Sequence, residues 1–183
     1  MFKKLFLPVL LCVLFAQMLS AQVYVTRNGT IRFFSEAPLE NIEAINRQVN
    51  SALNVDNGEF VFRLPMRSFA FEKALMQEHF NDNFVESHKY PNASFEGEIA
   101  NINDVDLNSG EEIEVLVQGE LTIKDVTKSI SESGTLQLKD DKIHGTAEFI
   151  VEPEAYNIRI PNRYTRNIAS EIAVFVDIVL SPQ

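Results

Sequence analysis

Cysteine is nearly absent: the 183-residue chain has one, Cys12, and it lies in an apolar N-terminal run. Leu11, directly before it, is not the small residue that a lipid-modified cysteine takes. Without that run no disulfide and no thiol nucleophile remain, so the body is stabilised by burial alone. Positive charge is also scarce, with 16 Lys and Arg against 26 Asp and Glu. If Lys3 and Lys4 leave with the run, 14 of those 16 basic residues remain and the net charge is −12 with neutral histidine. Such a surface repels nucleic-acid phosphates and is not drawn electrostatically to anionic headgroups; its ordinary role is solubility. Low-complexity tracts, internal repeats and Gly/Ser-rich linkers are missing too, which argues for one domain.

The constellations of catalysis are equally thin. No Gly-x-Ser-x-Gly elbow, no Gly-rich phosphate loop ahead of a helix and no cofactor motif occurs. His79, His88 and His144 lack the spacing of a zinc site. Glu78, His79, Glu86 and His88 crowd one stretch, but metal ligands normally arrive as pairs on one helix or hairpin, and these read as polar loop residues. Glu111 with Glu112, and Asp140 with Asp141, sit in turn-like segments and read as solvated loops. The Asn92–Ser94 sequon falls at a strand start and reads as coincidence. No catalytic residue and no metal ligand is assigned.

What is present begins with an address. Lys3 and Lys4 precede an apolar run from Leu5 to Leu19, and Leu19-Ser20-Ala21 sets small residues before Gln22, the pattern of a signal peptide cleaved after Ala21. The run is shorter than the ~20 residues of a spanning helix, and Pro8 interrupts it. The expectation is a signal peptide, 1–21, and an exported body, 22–183, periplasmic or secreted and without an integral membrane segment. That body is long enough for one core of its own.

Alternating runs predict strands at Ile31 to Ser35, Glu59 to Met66, Ala93 to Ile102, Ile113 to Ile123, Thr127 to Leu138, Lys142 to Val151 and Ile168 to Leu180. Asp56-Asn57-Gly58 and Asn108-Ser109-Gly110 are turn signals. Gly97, Gly119, Gly134 and Gly145 sit in or near strands, where glycine marks bulges or sharp bends. Phe71 to Phe80 reads as a short helix, stopped by Asn81-Asp82-Asn83. Leu39, Ile42, Ile45, Val49 and Leu53 also fall at helical spacing behind Pro38, so local propensity favours helix over 39–55. Several strands are apolar on both faces. Phe60, Phe62, Leu64 and Met66 share one face of their run while Val61 joins Arg63 on the other, which fits either ordinary core or the lining of an interior.

Two stretches carry a family resemblance. Glu78, His79 and Phe80, then Phe84, then Tyr90, Pro91, Ala93 and Phe95, and later Gly119, Leu121, Thr122, Val126, Thr127 and Lys128 resemble the motifs of the YceI-like family. Asp125 replaces the family's usual glycine, a mild departure because Asp also tolerates turn conformations. The resemblance runs in order from about Ile31 to Leu180, with its sharp matches confined to these two stretches. It implies an all-β fold: an eight-stranded antiparallel lipocalin-like barrel with a short capping helix, in which 39–55 is a long bent strand.

The resemblance further implies a non-enzymatic binding protein that holds an amphiphilic isoprenoid-type lipid, a quinone or polyprenyl chain, in an apolar tunnel. On this reading Phe60, Phe62, Leu64, Phe95, Val115, Val117 and Phe149 face the ligand. The segment Phe69 to Tyr90 then gates one end through Met76, His79, Phe80 and Phe84, and buries Phe69, Phe71, Leu75 and Val85 as well. The alternative is a structural or interaction module whose barrel is filled by its own phenylalanines and whose outer apolar strips dock a partner, a homodimer included. A third reading, an enzyme using Glu78 and His79 at the mouth, has less behind it.

Overall fold

The computed structural model describes residues 22–183, and the expected signal peptide lies outside the described residues. Nine strands form: β1 Val23–Glu36, β2 Asn41–Asn54, β3 Glu59–Pro65, β4 Ala70–Phe71, β5 Asn92–Ile99, β6 Ile113–Ile123, β7 Val126–Lys139, β8 Lys142–Val151 and β9 Ile172–Pro182. A short helix, α1 Ala74–His79, lies between β4 and β5. The strands neighbour one another in the order β1-β9-β8-β7-β6-β5-β3-β2, and β2 returns to β1, so eight antiparallel strands close a barrel. The extra strand, β4, adds only Ala70 and Phe71 to β2.

Each expected strand is present; Ile113–Ile123 and Lys142–Val151 keep their expected bounds, and the other five have shifted ends. β1 begins at Val23, not Ile31, because Thr26 to Thr30 is polar and irregular and hides the alternation. There the ladder to β2 slips between Thr26 and Gly29 and again between Gly29 and Ile31. Of residues 39–55, Asn41–Asn54 are strand β2, and the same slips explain the helical spacing. Ala44 and Asn46 are buried, then Val49, Ser51 and Leu53, so the inward phase changes between 46 and 49. Ile45 consequently faces out, paired with Ala70. β9 starts at Ile172, not Ile168, since Ile168 N–H donates to Tyr164 O in the preceding loop at 2.9 Å. β5 ends at Ile99, and Ile102 opens a 3-10 turn instead.

The helix is shorter than expected and does not stop at the asparagines. Phe71 belongs to β4, and after His79 the chain continues as a π-turn over Phe80–Phe84, with Val85 N–H donating to Phe80 O at 2.9 Å. Asn81 does not cap: its Nδ2 donates to Gln77 O at 2.8 Å and its own carbonyl accepts from Ser87 N–H at 2.8 Å. The side chain supports the widened turn it was expected to end.

Antiparallel order puts alternate connections at the same end. At one end lie 55–58, 100–112 and 140–141, above a packed floor of Val49, Leu53, Ile143 and Leu180, none measurably exposed. At the other lie 37–40, 66–91, 124–125 and 152–171, which form a mouth.

The inner glycines act differently from expectation. Gly97 and Gly119 face each other across β5 and β6 in an unbroken register, so neither is a bulge. A Cβ on Gly97 would meet Gln118 O at 2.2 Å and the Phe95 ring at 2.8 Å, and one on Gly119 would meet the same ring at 2.7 Å. Phe95 therefore lies over a glycine pair, filling the space of two absent side chains. Gly97→Ala is expected to lower the unfolding free energy by about 1–3 kcal/mol, the range of overpacking, because both obstacles are close and one is backbone. Urea denaturation checks this, and an unchanged midpoint contradicts it.

Candidate functional site

Inside the barrel is a cavity of about 460 Å³. Its wall alternates in register: Phe60, Phe62 and Leu64 from β3, Ala93 and Phe95 from β5, Val115 and Val117 from β6, Phe149 and Val151 from β8, Val174 and Val176 from β9. Phe60, Val117, Phe149 and Val176 face inward yet are only partly buried, as side chains bordering open space must be. All seven tunnel residues expected from the sequence lie in this lining, and so do Met76, His79, Phe80 and Phe84 of the expected gate. Leu75, also expected to bury, is 60% exposed on the outer side of α1.

The segment expected to act as a gate is held by aromatic packing. Phe80 lies 5.6 Å from Phe33, 5.6 Å from Phe69 and 5.1 Å from Phe71, ring centre to ring centre. This cluster fastens the π-turn to β1 and to the chain before α1, and Phe84 reaches Tyr164 of the opposite loop at 6.3 Å. Polar residues gather at the mouth: Ser35, Glu40, His79, Arg163, Tyr164 and Asn167 all line it. A hydrogen bond from Lys73 holds the Glu40 carboxyl below the ordinary carboxylate range.

Sequence reasoning missed several lining residues. Phe33, Ile130, Ile158, Ile160, Arg163 and Tyr164 were passed over, four of them because they sit in a long loop with no strand pattern. Glu132 was missed too, although it shares a face with Ile130 and Leu136. Its cross-strand partner is Val117, which places it on the inner wall. The β7–β8 ladder ends just beyond it, at Gly134 and Ala147, and the ring centre of buried Tyr156 lies 5.9 Å from the Lys128 ammonium of the same strand. Burial, and then the negative charge of Glu132, raise the Tyr156 phenol above its ordinary pKa.

A YceI-like domain model matches residues 23–180. The chain belongs to the YceI-like family. Among solved structures it is similar to a polyisoprenoid binding domain from Saccharophagus degradans implicated in plant cell wall breakdown. The identity is 14% and the TM-score 0.73, over 89% of this chain and 99% of that one. It is also similar to BcnA of Burkholderia cenocepacia, at 14% identity and TM-score 0.64, over 84% and 96% of the two chains. The YceI protein of Campylobacter jejuni aligns at 14% identity and TM-score 0.53, over 72% and 77%. At such identities the likeness shows the fold. No curated protein matches the chain by sequence.

In this YceI-like barrel the stretches that carried the resemblance meet at the mouth. Lys124, in the β6–β7 turn, pairs with Glu86 at 2.7 Å, donates to Asn157 O at 3.3 Å and lies 5.7 Å from the Tyr90 ring centre. Tyr90 in turn donates to Asp125 at 3.3 Å. Where the family has glycine this turn has Asp125, and Lys124 beside it takes the left-handed backbone, φ 57°. Glu86 and Asn157 are left-handed as well, φ 49° and 56°, so three strained residues converge on one contact. Glu78 and His88 point to solvent, apart from His79 and Glu86, and no group of three metal-binding side chains forms among the described residues.

The Lys124 hydrogen bond, and then its charge, hold the Glu86 carboxyl below its ordinary 4.5. A carboxyl lowered in the folded state stabilises it fully above that ordinary value, and the contribution fades as the pH falls through the lowered one. Lys124→Ala should therefore move the Glu86 titration, followed by carboxyl NMR shifts, upward toward its ordinary value and loosen the mouth loops at neutral pH. A titration that does not move in the variant contradicts the Lys124–Glu86 pairing.

Proposed function

We propose that this chain is an exported, non-enzymatic carrier that holds an amphiphilic isoprenoid-type lipid, a quinone or polyprenyl chain, tail inward in its barrel. The observation that carries the reading is the shape and polarity of the cavity: a mainly apolar wall that holds Glu132, a packed floor and a polar mouth. About 460 Å³ falls within the 300–1,000 Å³ typical of small-molecule sites. A chain molecule gains about 0.8 kcal/mol per buried methylene before ordering costs, so a tail alone supplies affinity. The residues Phe60, Phe62, Leu64, Phe95, Val115, Val117 and Phe149 would contact the tail. The head would rest among His79, Arg163 and Asn167. The structural neighbour described as a polyisoprenoid binding domain supports the ligand class. The signal-peptide pattern of residues 1–21 supports export, to the periplasm or beyond. An open cavity weighs against the alternative of a barrel filled by its own phenylalanines, which would leave no such volume.

Organic extraction and mass spectrometry of protein from its native host should find a polyprenyl lipid, and intact mass should place the N-terminus at Gln22. Val117→Asp, which sets a second carboxylate in the wall directly across from Glu132, should weaken uptake at least about tenfold. Absence of lipid together with no uptake of added polyprenyl compounds ends the proposal. The segment from Phe71 to Phe84 acts in this reading as a gate. Hydrogen exchange there should be measurable in the empty protein and suppressed by lipid; exchange as slow as the strands in both states makes it a fixed plug instead.

A further inference from the structure

We propose that the mouth end docks on a phospholipid bilayer, with Leu39 and Leu75 set into the interface, so that a lipid passes between membrane and barrel without crossing water. This rests on the lipid-binding reading. Six large apolar side chains stand exposed among the described residues, and the two most exposed are Leu75 at 60% and Leu39 at 57%. Both are on the mouth. Val61, Leu116 and Val179 are instead scattered over the outer faces of β3, β6 and β9 toward the closed end, and Ile150 stands alone on the outer face of β8 near its mouth end, as single surface hydrophobics do in most proteins.

The two leucines form one rim. Leu39 precedes Glu40 in the β1–β2 connection, Leu75 follows Lys73 at the start of α1, and Glu40 and Lys73 are joined by an ion pair. The backbone at Leu39 is tied to the opposite loop, its N–H donating to Arg166 O at 2.9 Å, while its side chain stays exposed. The adjoining residues Glu40 and Met76 line the cavity, so the leucines border the opening itself. Apolar rims with nothing to cover them suit an interface whose interior is also apolar.

Charge is polarised along the barrel axis in the matching sense. The connections at the closed end carry Asp56, Asp104, Asp106, Glu111, Glu112, Asp140 and Asp141 and no lysine or arginine. The mouth connections hold Arg67, Lys73, Lys89, Lys124, Arg159, Arg163 and Arg166 against nine acidic residues. A bilayer with negative surface potential repels the closed end more strongly and turns the mouth toward itself. Adhesion then comes from the leucines, since the net charge forbids a purely electrostatic one.

The test uses vesicles of phosphatidylcholine with phosphatidylglycerol, loaded with a polyprenol. In a Leu39→Ser/Leu75→Ser variant, transfer from vesicle to protein should slow about tenfold, while uptake of the same polyprenol from detergent micelles is unchanged. Val61→Ser/Val179→Ser, changed on strand faces toward the closed end, should transfer at the wild-type rate. Because residues 22–183 contain no cysteine, an environment-sensitive dye on Leu75→Cys reports docking directly. It should shift to the blue with cargo-free vesicles, and a dye on Val61→Cys should not. Equal vesicle transfer by all three proteins, or no shift at position 75, overturns the docking. If wild type takes no polyprenol even from micelles, the lipid-binding reading itself fails, a separate result from a docking defect.

Discussion

Closure of β1 onto β2 is the contact on which the rest of this structure depends. A curled sheet of eight strands exposes two edges, and joining them satisfies both rows of backbone groups at once. The join is irregular. Its register slips on each side of Gly29, where a Cβ would strike Ile178 at 2.7 Å. Asn46, fully buried, stabilises the irregularity from the other strand: its Oδ1 accepts from Gln48 N–H and its Nδ2 donates to Pro65 O, both at 2.8 Å. That second bond lies in the gap between the β2–β3 and β2–β4 pairings, so one amide bends the strand and bridges a break in the ladder.

With the wall closed, its inner face can remain apolar without being filled. An unfilled interior forfeits dispersion contacts and has to be compensated by packing elsewhere. The floor supplies this, with Leu53, Ile143 and Leu180 wholly buried beneath the cavity. The asymmetry gives the cavity a direction. Its deep end is lined by apolar side chains, its open end is ringed by Glu40, His79, Arg163 and Asn167, and an amphiphile has one sensible orientation in it.

The mouth is held by two unlike devices. Aromatic rings around Phe80 fix the π-turn to the barrel without directional bonds, an arrangement that tolerates small displacements. Across from it, Glu86, Lys124 and Asn157 make a directional contact at the cost of left-handed backbone in all three. Three connections that are distant in sequence are thereby tied at one point on the rim, which makes the loops one unit instead of three.

The barrel and its apolar interior were legible in the sequence because a strand exposes alternate residues to opposite faces. Phe60, Phe62 and Leu64 could be placed together on one face from spacing alone, and the motif around Tyr90 and Pro91 supplied the family. Residues 39–55 were not legible by spacing, since a register slip mixes the inward phase of Ala44 and Asn46 with that of Val49 and Leu53, and the mixture imitates a helix. Nor was the bonding of Asn81, whose choice between capping a helix and supporting a π-turn depends on what the helix packs against. By itself the sequence determined which faces are apolar and which residues permit turns, properties of single residues and their neighbours. Only the tertiary structure decided that the interior stays open, that one end is packed shut, and that Glu132, Arg163 and Tyr164 reach the cavity. Those outcomes turn on distances between strands and loops far apart in the chain, and local chemistry does not encode such distances.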